Sequence, residues 1–278
     1  MLERPSTIPL SSDSLTRSRA EKRLDPVGRE RLGPLSEQAR SRVLAREDLV
    51  RLSPGLQSAF GIEGLRRGST VLIQGDKGTG ATSLALALLA CATSGGLWCS
   101  VVGPLDLGIV AGVELGVDLD RLVVVATPER RVATVLGALV DGCDVVLLRL
   151  PLALTRSEML RLGARVRQRR VLLLLVRDTR SRVRAWAEAP DVTAVVQSSD
   201  FVGIAYGSGR IAARRVVIGT AHRWGGAAAP AVALWLPSLS GDLRVVDDET
   251  DGILTRGWID KVDADGSMHG RPLRVVSP

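Results

Sequence analysis

The hydrophobic pattern changes period twice along the chain. Residues Met1 to about Pro34 are rich in Ser, Pro and Arg with little periodicity, and read as a mobile arm. Leu35–Leu52 follows Pro34 with Leu35, Ala39 and Val43 on one helical face and Arg40, Arg42, Arg46 and Arg51 mostly off it, which predicts a helix ended by Ser53-Pro54-Gly55. From Thr70 short apolar runs alternate with helical stretches. The strands are expected at Val71–Gln74, Leu97–Val102, Leu122–Ala126, Val145–Leu150 and Val171–Val176. The helices are expected at Thr82–Thr93, Leu107–Leu115, Arg130–Val140 and Ser157–Arg169. Near-continuous apolar strands alternating with helices imply a parallel sheet covered on both faces. After Pro190 the pattern becomes strand upon strand, at Thr193–Gln197, Phe201–Tyr206, Arg210–Val217 and Ala231–Leu236, joined by glycine-rich turns, as in an antiparallel extension. Asp242 to Pro278 is polar, with acids at Asp247, Asp248, Glu249 and Asp251, and reads as a tail or small appendage. The expected layout is an N-terminal arm and helix over 1–52, an α/β core over 53–241 and a polar C-terminal tail over 242–278.

Composition narrows this picture. A chain of 278 residues, 45% hydrophobic, holds one large domain with a substantial core, and at 3% aromatic that core is mostly Val, Leu and Ala. The net charge of +7 comes almost entirely from arginine, the lysines being Lys22, Lys77 and Lys261. Such a balance permits contact with nucleic acid or an acidic protein surface, and equally suits an ordinary solvated surface. Cys91, Cys99 and Cys143 show no C-x-x-C spacing and sit in apolar segments, as small core residues do. His222 and His269 are far apart, so no metal-ligand cluster is expected. No apolar signal core and no uninterrupted apolar run of ~20 residues is present, so the expected setting is a reducing cytoplasm without membrane contact.

The most informative stretch is Thr70–Ala90, an apolar strand, a glycine-rich turn and an Ala/Leu helix. That is the strand–loop–helix grammar of a phosphate-cradling P-loop. Gly75, Gly80 and Thr82 fit G-x-x-x-x-G-x-[ST], but the position before Thr82 is Ala81, where a lysine would neutralise the β and γ phosphates. Lys77 lies four residues earlier, inside the loop. The cradle candidates are Gly75, Lys77, Gly78, Gly80, Thr82 and Ser83. Backbone N–H groups and the dipole of the helix N-terminus remain available to an anion.

Leu52 to Leu243 resembles the RecA ATPase core in order and spacing. The resemblance rests on Ser53–Gly61 running into Gly64-Leu65-Arg66-Arg67-Gly68, on Leu115–Leu122, on Asp144–Leu148 as a Walker B-like strand, and on closing strands across Arg210–Pro237. Gly209-Arg210-Ile211, Arg214-Arg215-Val216 and Leu234-Trp235-Leu236-Pro237 are more narrowly similar to the ImuA-type accessory proteins of the bacterial DNA-damage mutasome, nearest the actinobacterial ImuA′ branch. The implied fold is a RecA-like P-loop core, a mainly parallel sheet with an antiparallel extension.

The resemblance also says where ATP hydrolysis would reside. The P-loop lysine falls on Ala81 and the acidic end of the Walker B strand on Arg149. The water-activating glutamate falls on Pro104, with Asp106 two residues on as a substitute. Losing all three argues against phosphoryl transfer, which depends on charge compensation and positioned water. In that family DNA is gripped by loops after the fourth and fifth strands. The span from Leu150 to Ser157 is too short for the first; the second maps to Asp178–Pro190, with Arg180, Arg182, Arg184 and Trp186 as DNA-contact candidates. The alternative there is an amphipathic helix with solvated arginines and Trp186 packed inward. Arg165, Arg167, Arg169 and Arg170 read as a solvated helix face.

The leading expectation is therefore a non-catalytic RecA-like adaptor, not an enzyme, in SOS-induced error-prone translesion synthesis. Its implied partners are an ImuB-type polymerase-like protein and an error-prone replicative-type polymerase. It would be cytoplasmic and nucleoid-associated and need no cofactor, its P-loop kept only as a strand-to-helix connector or, as the alternative, binding ATP weakly without metal. The Leu35–Leu52 helix is a candidate self-association or partner element. The alternatives are a DNA-dependent ATPase or recombinase paralogue that uses Lys77 and Asp106, and a non-catalytic DNA-binding module.

Overall fold

A computed structural model of the chain describes residues 48–103, 108–126, 131–150, 153–181, 186–205, 208–223 and 229–246. Eleven strands and five α-helices are described. Strands β1 (Leu49–Arg51) and β2 (Gly64–Arg66) form a two-stranded antiparallel ribbon around helix α1 (Pro54–Phe60). The remaining strands are β3 (Thr70–Gln74), β4 (Cys99–Val102), β5 (Leu122–Val125), β6 (Val145–Arg149), β7 (Leu172–Arg177), β8 (Val192–Ala205), β9 (Ser208–His222), β10 (Ala229–Trp235) and β11 (Arg244–Val245). They make one nine-stranded sheet in the order β11-β10-β9-β8-β3-β7-β6-β4-β5. The pairs from β8 to β5 are parallel and those from β8 to β11 antiparallel. The fold is thus α/β with a mixed, mainly parallel sheet and an antiparallel extension. Helices α2 (Ala81–Ser94), α3 (Ile109–Glu114), α4 (Val132–Gly142) and α5 (Arg156–Arg169) cross between the parallel strands, as such pairing demands.

The parallel strands read as unbroken apolar runs because both of their faces are covered. In β6, Val145 and Leu147 face the core shared with α1 and α2, while Val146 and Leu148 face the one built by α4 and α5. Leu172 and Leu174 divide from Leu173 and Leu175 in β7 the same way. This alternation is the two-residue period of a strand, hidden in sequence because each parity finds apolar partners. α2 is buried along nearly its whole length, which suits its Ala/Leu composition. α5 carries a capping box, with the Thr155 hydroxyl accepting from Glu158 N–H at 3.3 Å and the Glu158 carboxylate from Thr155 N–H at 2.8 Å. Its apolar stripe, Met159, Leu162 and Val166, is buried against the sheet.

The core elements fall where the pattern puts them, with ends moved by one or two residues, except that β9 runs five residues past the expected Val217, to His222. Four expectations change. The helix over Leu35–Leu52 lies mostly outside the described residues, and at its described end Leu49–Arg51 is a strand instead, with Val50 buried and hydrogen-bonded across to β2. Ser53-Pro54-Gly55 opens a helix rather than closing one: proline at the first helical position keeps a φ the helix wants and lacks an N–H that would have no partner there. Thr193–Gln197 and Phe201–Ala205 belong to one long strand, β8, whose register shifts between Val196 and Ser198 and between Val202 and Ile204 take up the irregular positions, and Tyr206 lies outside the described residues. Finally, β11 carries the sheet past residue 242. Leu243 packs so closely on α1 that a Cβ at Gly55 would lie 2.4 Å from its Cδ2. The acidic cluster at Asp247, Asp248, Glu249 and Asp251 lies outside the described residues.

Leu174 is wholly buried at the centre of β7. Leu174→Ala is expected to cost about 2–5 kcal/mol, because it removes apolar burial and leaves a cavity that close-packed strands cannot collapse. Urea unfolding should show a lower midpoint with the slope unchanged.

Candidate functional site

The carboxyl ends of the parallel strands converge on the loop between β3 and α2. There a cleft of about 370 Å³ is lined by Gly75–Gly78, Gly80–Ser83, Leu86, Gly108, Ala111, Arg149, Leu150, Val176, Arg177, Asp178 and Arg214. Clefts outside the carboxyl ends of strands are the usual ligand position in open α/β sheets. All six residues picked from sequence, Gly75, Lys77, Gly78, Gly80, Thr82 and Ser83, meet in its wall. The loop is a tight turn: Thr79 N–H and hydroxyl both donate to the Asp76 carbonyl, at 3.1 and 2.8 Å. Gly80 caps α2 with φ +105°, a left-handed conformation that favours glycine. Ala81 is buried as the first helical residue and Lys77 is exposed.

Two arginines from other strands close on the start of α2. Arg149, at the end of β6, donates from Nη1 to the Thr82 hydroxyl at 3.1 Å. Gly103, at the end of β4 with φ +133°, makes room for it: a Cβ there would lie 3.1 Å from both the Cβ and the carbonyl oxygen of Arg149. Arg214, on β9, donates from Nη2 to the Ser83 hydroxyl and from Nε to the Leu236 carbonyl at 3.0 Å. Its guanidinium lies against Gly80, where a Cβ would be 3.1 Å from Cζ. Burial pushes the Arg214 pKa down, yet a guanidinium starts so high that it stays charged. The Asp76 carboxylate accepts from the Thr179 hydroxyl and pairs with Arg180 Nε at 2.9 Å. Asp178 accepts the Arg180 N–H at 2.9 Å. These are the carboxylates among the described residues lining the cleft, and both are tied to the strand-end loop after β7.

The Arg180–Trp186 segment is only partly described, since Arg182 and Arg184 lie outside the described residues, as do Pro104 and Asp106. The two described members part company. Arg180 pairs across the cleft with Asp76, while Trp186 is buried in the core under α4 and α5. Its ring is therefore not a platform for a stacked base, which corrects that part of the DNA-contact expectation. The basic run on α5 is exposed but compensated. Arg165 and Arg169 share Asp141, whose carboxylate their hydrogen bonds and charges hold below the usual range, and Arg167 grips Glu188 at 2.7 Å. Arg214 went unassigned in the sequence. The available signal was a doubled arginine in an otherwise apolar strand, which alone does not say what it reaches.

Similarity to known proteins covers part of the chain. A family model described as the MT3502 N-terminal domain matches residues 58–182, which span β3 to β7 and hence most of the cleft. The uncharacterized protein Rv3395c of Mycobacterium tuberculosis (strain ATCC 25618 / H37Rv) is 39% identical over 98 residues, covering 35% of this chain and 48% of the relative. The chain thus matches about half the length of that relative.

Trp186 separates packing from nucleic-acid contact. Its indole Nε1 is buried without a hydrogen-bond partner among the described residues. Trp186→Phe keeps most of the volume and removes that donor, so its thermal stability should stay near the parent value. Trp186→Ala should lose about 3–5 kcal/mol. Both outcomes are read in denaturant melts, and a strongly destabilised Phe variant would show that the indole N–H matters.

Proposed function

We propose that this chain is a non-catalytic RecA-like adaptor, acting through protein contacts in damage-induced error-prone DNA synthesis rather than through nucleotide turnover. The observation that carries the reading is the pair of guanidiniums on the first turn of α2. In a working P-loop the hydroxyl at the Thr82 position serves the metal, and a lysine in place of Ala81 serves the phosphates. Here Arg149 occupies the Thr82 hydroxyl and Arg214 the Ser83 hydroxyl, while Ala81 offers no charge. A divalent cation beside Arg149 would meet repulsion, and Asp76 and Asp178 are already engaged with Thr179 and Arg180. The donor set therefore fits a magnesium–triphosphate poorly. The RecA-like part of the reading is supported by the strand–loop–helix at Thr70–Ser94, the parallel strands that follow and the antiparallel closing strands. The mutasome part, with an ImuB-type polymerase-like partner and an error-prone replicative-type polymerase, rests on the resemblance of the closing segments.

Two assays test it. ATP turnover should stay at background with and without single-stranded DNA; robust turnover abolished by Lys77→Ala would replace the adaptor by an active ATPase. Pull-down of the full chain from damage-treated cells should capture the ImuB-type protein, and failure to do so would remove the adaptor role. Deleting 1–52 or 242–278 then shows which end the partner uses.

A further inference from the structure

The nine-stranded sheet ends on two unlike edges. One is β11, two residues long and carrying Arg244, the kind of short, charged edge that resists unwanted pairing. The other is β5, Leu-Val-Val-Val, with no charge, proline or register shift. β5 pairs with β4 from Cys99↔Leu122 to Val102↔Val125, and among the described residues no strand lies on its outer side. Its outward N–H and C=O groups are a ready template for another strand.

The surroundings of this edge are apolar too. Leu122 packs toward the core under α2 and Val125 toward that under α4 and α5, whereas Val123 and Val124 are 38% and 37% exposed. α3 leads into the strand and sets its Gly112 side on α2, where a Cβ would lie 3.5 Å from Leu86 Cδ2. That orientation leaves Ile109, Val110 and Val113 exposed, Val110 at 73%, and Leu119 is exposed in the short turn before β5. Of the eleven large apolar side chains exposed among the described residues, six fall between Ile109 and Val124. Single exposed apolar residues need no explanation, but a concentration at an open sheet edge marks a contact surface.

We propose that this edge is a two-fold interface between two copies of the chain, β5 pairing antiparallel with β5 of the second copy so that the sheets run on into each other. A second copy is favoured over an unrelated strand by charge. Asp118 and Asp120 are exposed at the amino end of β5, and Arg131, the N-cap of α4, is exposed and follows the strand's carboxyl end by six residues in sequence. Asp118 is bridged to Arg121 at 3.7 Å, but Asp120 and Arg131 make no ion pair among the described residues. An antiparallel two-fold sets the amino end of one strand beside the carboxyl end of the other. It therefore brings acid and cation together twice, once at each end of the joint. Four strand residues make a short joint, and the apolar side chains of α3 and Leu119 widen it on both sides of the axis. The proposal does not rest on the adaptor reading, since an ATPase could dimerise the same way.

Light scattering or sedimentation equilibrium on the full chain across the micromolar range tests it. The chain should show the mass of two copies. Val123→Lys with Val124→Lys should give the mass of one copy while keeping the circular dichroism of the parent. Asp120→Arg alone should weaken the dimer several-fold, and adding Arg131→Asp should restore it. Both residues of that swap are exposed, so it decides the matter even if the lysine variant fails to fold. A single-copy mass at every concentration, a dimer indifferent to the lysine pair, or a swap without rescue would overturn the proposal.

Discussion

The start of α2 is where the sheet and the longest buried helix are tied together, and two guanidiniums do the tying. Arg149 and Arg214 reach Thr82 and Ser83 from strands 67 and 131 residues away in sequence. Neighbouring choices follow from that crowding. Gly80 is bare because Arg214 lies over it, and Gly103 is bare because Arg149 presses on it. Ala81 is small and buried, so no third cation shares the space. Two positive groups can sit near a helix N-terminus only if their charge is met by other groups, since the helix end itself is partly positive. The serine and threonine hydroxyls and the Leu236 carbonyl supply part of that compensation.

The sheet behind this site is built for rigidity. The central parallel strands β6 and β7 bury both faces, so Leu147, Leu148, Leu173 and Leu174 are almost wholly removed from water. Burial of this kind contributes about 1.5–3 kcal/mol per large side chain. It holds the strand ends that carry Arg149 and Arg177. At the opposite end of the strands Asp144 takes Arg67 at 2.5 Å and the Trp98 N–H at 2.9 Å, pinning the start of β6 to the loops around it. On the parallel side the sheet ends, among the described residues, at β5, where the apolar residues go on.

How far the sequence carries depends on whether a residue's partners are local. The parallel strands and their helices are legible because Val/Leu runs of strand length, punctuated by Gly, Pro and Asp, have few other fates. The loop from Gly75 to Gly80 is legible because its glycines are demanded by its own backbone. Leu49–Arg51 is not: three residues at the end of a helical pattern become a strand only because Gly64–Arg66 lies beside them. The continuity of β8 through Ser198 and Asp200 depends on β9 across from it. Arg214 is the sharpest case, a site residue whose partners Ser83 and Leu236 lie on separate elements. Trp186 turned inward for the same kind of reason, an apolar core under α4 and α5 that its own segment does not reveal.

The central claim is that the first turn of α2 has no place left for a metal-bound triphosphate. The most direct measurement is a calorimetric titration of the full chain with a non-hydrolysable ATP analogue, run with and without magnesium. The account predicts no binding that magnesium strengthens, and at most a weak, salt-sensitive association of the free anion. Tight binding that requires magnesium would contradict it.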